Sequence, residues 1–169
     1  MKCSRLYFCL LLLGFLSLSS CGIYSFTGAS IPAGTKTISI GFFKNKAPSV
    51  QPTISQLLTD NMKSYFVAQS NLNLVEGIAD VEITGDIIGY SVNPSAIQGN
   101  DKAALNRLSV TIQVRFVNRI NEKLSFSQSF SRFRDYDAKL NLMAVESELI
   151  EQICKELVED VYQKAFVNW

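Results

Sequence analysis

The stretch Leu108-Ser109-Val110-Thr111-Ile112-Gln113-Val114-Arg115-Phe116 alternates apolar and polar side chains without a break. A period of two puts every second side chain on the same face, so residues 108–116 read as a strand with one buried and one open face. Ile120-Asn121-Glu122-Lys123 is turn chemistry, and beyond it Leu124, Phe126 and Phe130 alternate with Ser125, Ser127, Ser129 and Ser131. That is the returning strand of a long antiparallel hairpin. Its apolar face needs a cover.

The cover is found on both sides of the hairpin in sequence. From Thr53 to Gln69 the residues Ile54, Leu57, Leu58, Met62, Tyr65 and Phe66 recur at helical spacing. Downstream, Leu149, Ile150, Ile153, Leu157, Val158, Val161, Tyr162, Ala165 and Phe166 make the stripe of a second helix, whose other positions carry Glu146, Glu148, Glu151, Glu156, Glu159 and Asp160. Amphipathic helices of this kind bury one side and leave the charged side in water. Residues Thr37 to Phe43 are β-branched and aromatic, and they predict a first strand closed by a turn through Asn45, Pro48 and Pro52. Leu72 to Val75 predicts a short strand. Val81 to Val92 predicts a long one whose apolar parity changes, so a bulge is expected near Gly85 or Gly89. Asn93 to Ala104 contains Pro94, Gly99, Asn100 and Asp101 and reads as a loop.

This order predicts an α+β fold: a two-layer sandwich with a small, mainly antiparallel or mixed sheet of about four to five strands and two helices on one face. The other sheet face should be polar.

The first residues read differently. Lys2 and Arg5 flank an apolar run from Leu6 to Leu18, shorter than the roughly 20 residues that a spanning helix needs. This is signal-peptide chemistry. Leu18-Ser19-Ser20-Cys21 follows it and resembles the bacterial lipobox. Residues 1–20 are therefore expected to be cleaved, Cys21 to be acylated, 21–36 to form a tether and 37–169 a single α+β domain. Acyl chains hold a protein to a bilayer at about 0.8 kcal/mol per buried methylene, so two or three chains make release negligible. Gly22 stands where inner-membrane lipoproteins typically carry Asp, and Gly22-Ile23-Tyr24-Ser25 lacks an acidic cluster. The expected location is the periplasmic face of the outer membrane. With Cys3 and Cys9 removed and Cys21 acylated, Cys154 is the one free thiol, and the core must stabilise the domain without a disulfide.

The chain has no histidine, which removes Ser-His-Asp and Cys-His catalysis and histidine metal sites together. Its nine glycines form no phosphate-binding loop. No enzymatic activity, cofactor or metal is expected. Asp135 and Asp137 flank Tyr136 and share a direction on an extended chain; they are expected to end a strand rather than to form a paired-carboxylate site. After removal of Lys2 and Arg5 the basic residues number 14 against 15 acidic ones, with no nucleic-acid footprint. The charge is unevenly distributed. Between Lys102 and Arg134, Lys102, Arg107, Arg115, Arg119, Lys123, Arg132 and Arg134 stand against Glu122 alone, a net of +6 that leaves −7 for the rest of the mature chain. Arg107, Ser109, Thr111, Gln113, Arg115 and Arg119 share the parity opposite the apolar residues, which predicts a basic face free of carboxylates.

Several stretches resemble a known family: CGIYSFTG at Cys21 to Gly28, the Ile31-Pro32 to Phe43 strand, Ala104-Leu105-Asn106-Arg107-Leu108, FSRFRDYD at Phe130 to Asp137, and Val167-Asn168-Trp169. End to end, the chain is similar to the Bacteroidetes-type LptE family of lipopolysaccharide-assembly lipoproteins. The resemblance implies two helices packed on a small sheet. It also implies a non-enzymatic partner and plug of the outer-membrane β-barrel that inserts lipopolysaccharide, itself able to bind lipopolysaccharide. The family's binding residues do not carry over one by one, so Arg107, Arg115 and Arg119 are candidate lipopolysaccharide or barrel contacts on the charge pattern alone. The alternative is a periplasmic envelope lipoprotein that binds lipid or assists an ABC-type transporter.

Overall fold

A computed structural model of the chain describes residues 31–48, 51–95 and 105–167. The expected signal segment, Cys21, the tether up to residue 30, Lys102 with most of the expected loop, and the closing Asn168-Trp169 lie outside these residues.

The alternating stretch lies in β5 (Leu105–Asn118), and Leu108, Val110, Ile112, Val114 and Phe116 are each fully buried. On one side β5 pairs antiparallel with β6 (Phe126–Asp137), from Phe116 opposite Phe126 to Leu105 opposite Asp137. On the other it pairs antiparallel with β4 (Val81–Ser95). The expected bulge is present: Ile87 faces Ile112 and Gly89 faces Thr111, so Ile88 is the extra residue and the parity change is absorbed there. The hairpin turn contains a short 3-10 helix, Glu122–Leu124, so Leu124 belongs to the turn and not to the strand.

Beside β4 lie β1 (Thr37–Ile40) and β2 (Lys44–Asn45), and beyond β1 lies β3 (Asn73–Leu74), giving the order β3-β1-β4-β5-β6 with β2 also paired to β4. These pairings are parallel, because α1 (Pro52–Ser70) carries the chain back before β3 begins. The fold is α+β with a mixed sheet, and its parallel part is the half that sequence alternation does not reveal.

Two further expectations are corrected. The strand expected over Thr37 to Phe43 breaks after Ile40, because the three residues between Ile40 and Lys44 stand against two between Ile83 and Asp86 on β4. The break turns Phe43 inward to full burial, and Thr59 of α1 accepts its amide hydrogen at 3.1 Å while donating to the Ser55 carbonyl at 2.7 Å. Likewise, Asn93, Pro94 and Ser95 are strand and not loop, paired with Arg107, Asn106 and Leu105. Proline is tolerated there because β4 has no strand on its other side beyond Ile87, among the described residues.

Both helices cover the same face, as expected. α1 starts with proline at its first position and ends at Asn71 in the left-handed region (φ 54°). α2 (Leu142–Phe166) is capped by the Asn141 side chain, which accepts from the Met143 amide at 3.0 Å. At the end of the sandwich where α2 finishes, an aromatic chain joins the layers: Phe66 to Phe166 at 5.7 Å between centroids, Phe166 to Phe116 at 5.9 Å, Phe116 to Phe126 at 5.1 Å. Edge-to-face and offset contacts of this kind add to the burial of the rings. Ile31 also packs on this core.

Candidate contact surface

The face of β4, β5 and β6 turned away from the helices follows directly from strand parity. Ser109, Thr111, Gln113 and Arg115 of β5 stand beside Phe133, Ser131, Ser129 and Ser127 of β6 and beside Ser91, Gly89, Asp86 and Thr84 of β4. Side chains bond across it: Thr111 and Ser131 hydroxyls at 3.0 Å, Gln113 Nε2 donating to Ser127 at 3.1 Å, and Ser129 donating to Gln113 Oε1 at 2.5 Å. The surface is a lattice of hydroxyl and amide groups, each able to exchange its neighbour for an outside partner.

The three candidate arginines differ on it. Arg107 makes a bidentate pair with Asp135, Nε to Oδ1 at 2.7 Å and Nη2 to Oδ2 at 2.8 Å, and its guanidinium lies 3.7 Å from the centre of the Phe133 ring. The Arg107 hydrogen bonds hold the Asp135 carboxyl below its ordinary range. Arg119 donates from Nε and Nη2 to Glu82 Oε1 at 3.2 and 2.9 Å. Arg115 is exposed, flanked by Thr84 and Ser127, and has no carboxylate within ion-pairing distance among the described residues. It borders a shallow depression of about 400 Å³ that Glu122, Ser125 and Ser127 also line.

The expectation of a carboxylate-free basic face is therefore corrected, since β6 and β4 supply Asp135 and Glu82 to it. The net of +6 is also divided between faces. Even-numbered residues of β6 point toward α2, where Arg132 pairs with Asp160 (2.5 and 2.6 Å) and Arg134 with Glu156 and Gln152. The Arg134 hydrogen bond lowers the Glu156 carboxyl. The acidic side of α2 is thus not simply a solvated face, because two of its carboxylates clamp the helix to the sheet. A third polar tie, Tyr90 donating to Glu146, joins α2 to β4, and burial first and Glu146 second push the phenol pKa up. Sequence patterning identifies the parity of these groups, but their partners lie 18 to 56 residues away and no local signal marks them.

Asp137 turns to the backbone, accepting from the Lys139 amide at 2.9 Å, so Asp135 and Asp137 form no joint site. Cys154 is fully buried, and burial pushes its thiol up to about 12. Among the described residues no three potential metal ligands converge, and no helix is long and apolar enough to cross a membrane.

The model of the family LptE, described as lipopolysaccharide-assembly, matches residues 35–165. Solved structures share the fold. A minor lipoprotein from Acinetobacter baumannii superposes with a TM-score of 0.51 at 16% identity, covering 77% of this chain and 91% of that one. A hypothetical protein from Chlamydia trachomatis gives 0.51 at 7% identity, over 78% and 98%. A putative neuraminyllactose-binding hemagglutinin homolog from Helicobacter pylori gives 0.52 at 12% identity, over 83% and 88%. At such identities the likeness concerns the fold alone. No curated protein sequence matches.

Proposed function

The chain belongs to the lipopolysaccharide-assembly family LptE, and on that premise we propose that it is the lipoprotein partner and plug of the outer-membrane β-barrel that inserts lipopolysaccharide. It acts by binding and not by catalysis. Acylated Cys21 holds it to the periplasmic face of the outer membrane, and 37–169 is the working domain.

The observation that carries this reading is the family match across the whole sheet and both helices. The polar sheet face supports it in chemical terms. Barrel lumens are lined by polar side chains, and a lattice of serine, threonine and glutamine can trade its internal hydrogen bonds for bonds to such a wall or to sugars. Arg115 adds an uncommitted guanidinium, which binds phosphate or carboxylate through paired, charge-assisted hydrogen bonds. Arg107 and Arg119 reach the same ligands only by leaving Asp135 and Glu82.

The test is co-purification from detergent-extracted membranes. A large barrel recovered in stoichiometric amount is the expected result. Recovery of an ABC-type transporter, or of no membrane protein, would overturn the barrel assignment.

A further inference from the structure

Ile78 is 83% exposed and Ile120 47%, and both stand at the end of the sheet where β1 begins. Ile78 lies in the turn between β3 and β4, which Gly77 shapes with φ 85°. Ile120 follows β5 in a turn fixed by the buried Asn118, whose Oδ1 accepts from the Ile120 and Asn121 amides at 3.0 and 2.8 Å. The two turns are tied together, since the Arg119 amide donates to the Asp80 carbonyl at 2.8 Å. An apolar side chain on a loose loop can fold away from water, whereas these two are held out. Exposed apolar residues scattered singly need no explanation; a fixed pair on joined turns marks a contact.

We propose, resting on the acylation of Cys21 and not on the barrel, that this end of the domain sits on the lipid surface that holds the acyl chains, with Ile78 and Ile120 dipping below the headgroups. Lys36, whose amide bonds the Asp80 carboxylate at 2.8 Å, marks the same end as the place where the N-terminal segment joins the sheet. Ten residues lead from Cys21 to Ile31, and ten residues span at most about 36 Å. The two turns are thus kept beside the leaflet, and a tethered contact needs little affinity of its own. The opposite end also exposes apolar side chains, Leu140 and Met143, but the 25 residues of α2, about 38 Å of helix, stand between it and the tether. That end remains open to a barrel lumen, so a single copy can plug a barrel while its tethered end stays at the periplasmic leaflet. Around the two tips Lys36, Arg119 and Lys123 are offset by Glu76, Asp80, Glu82 and Glu122, with Arg119 and Glu82 already paired. The contact is therefore apolar, and the lysines serve it only by reaching for headgroups.

The test uses the mature lipidated chain in phosphatidylcholine vesicles, with one nitroxide at Ile78→Cys, Ile120→Cys or Met143→Cys; the buried Cys154 takes no label. Labels at the first two positions should be relaxed more by oxygen, which concentrates in lipid, than by a water-soluble nickel complex, and the third should show the reverse. Raised salt should leave this pattern unchanged. A label at Glu76→Cys should lose its oxygen preference when Ile78→Ser and Ile120→Ser are combined. Flotation with the vesicles reports the anchor separately: a chain that fails to float removes the acyl attachment and the seating with it. A chain that floats with all three labels equally open to nickel overturns the seating alone. A pattern abolished by salt would overturn it too, by assigning the contact to charge.

Discussion

Thr37 and Asp80 exchange hydrogen bonds in both directions: Asp80 Oδ2 accepts from the Thr37 amide at 2.9 Å and its hydroxyl at 3.0 Å, and Thr37 Oγ1 accepts from the Asp80 amide at 3.0 Å. The same carboxylate oxygen accepts from the Lys36 amide at 2.8 Å. Asp80 therefore fixes where β1 enters the sheet, just ahead of its partner strand β4.

The amide bonds from Lys36 and Thr37, with the Thr37 hydroxyl, hold the Asp80 carboxyl below its ordinary range. A depressed folded-state pKa stabilises above the unfolded value, and that contribution is lost as pH falls through the folded value. Asp80→Ala should lower the melting temperature at neutral pH, and the gap to wild type should narrow below the ordinary carboxylate range. Thermal unfolding across pH measures this. A gap independent of pH would assign the loss to something other than the charge.

Gly85 sits where β4 passes under Phe43. A Cβ there would lie 2.4 Å from the Gln113 carbonyl oxygen and 2.5 Å from Phe43 Cε1. Backbone cannot yield as a flexible side chain does, so Gly85→Ala should cost about 3 kcal/mol, the upper end of overpacking. At Gly89 the nearest atom is Thr111 Cβ at 3.1 Å, and Gly89→Ala should cost about 1 kcal/mol. Urea midpoints of the two variants measure the difference, and equal midpoints would count against the Phe43 contact.

How far the sequence could be read depended on how local each signal was. The alternation from Leu108 to Phe116 places five core residues, and the parity change in β4 announces the bulge at Ile88. Asn93 and Pro94 read as loop because their composition is that of loops; a one-sided strand edge admits them, and edges are a property of the assembled sheet. Arg107, Arg115 and Arg119 lie on the expected side, but only the neighbouring strands reveal that two of them are already paired. The β1 break was hidden for the same reason, since it depends on Gly85 leaving room for Phe43.

Among the arginines, Arg115→Gln should weaken lipopolysaccharide binding and barrel co-purification while moving stability by no more than about 0.5 kcal/mol. Replacing Arg107, Arg115 and Arg119 together should weaken both further. Added salt should weaken wild-type binding, as exposed charges are screened. If the triple variant binds and co-purifies as wild type does, the polar face has no contact role.

Metabolic labelling with a fatty acid should mark the wild-type chain and not Cys21→Ala, which should stay unprocessed or soluble. Label surviving in the variant would sink the anchor assignment.

Cys154 should resist thiol reagents in the native protein and react on unfolding, because the thiolate is the reactive form and burial disfavours it. Fast labelling in native buffer would contradict the core described above.

The position of β1 has a mechanical meaning. It lies between β3 and β4 and runs parallel to both, so a pull on the chain at Lys36, once Ile31 has left the core and the Pro32–Thr35 turn has opened, loads its hydrogen bonds along the strand axis. Bonds on both flanks then share the force, whereas a hairpin pulled from its open end would peel one bond at a time. A domain tugged through its N-terminal segment while engaged elsewhere would meet that load in shear at β1, with Asp80 as the bolt at the strand's entry.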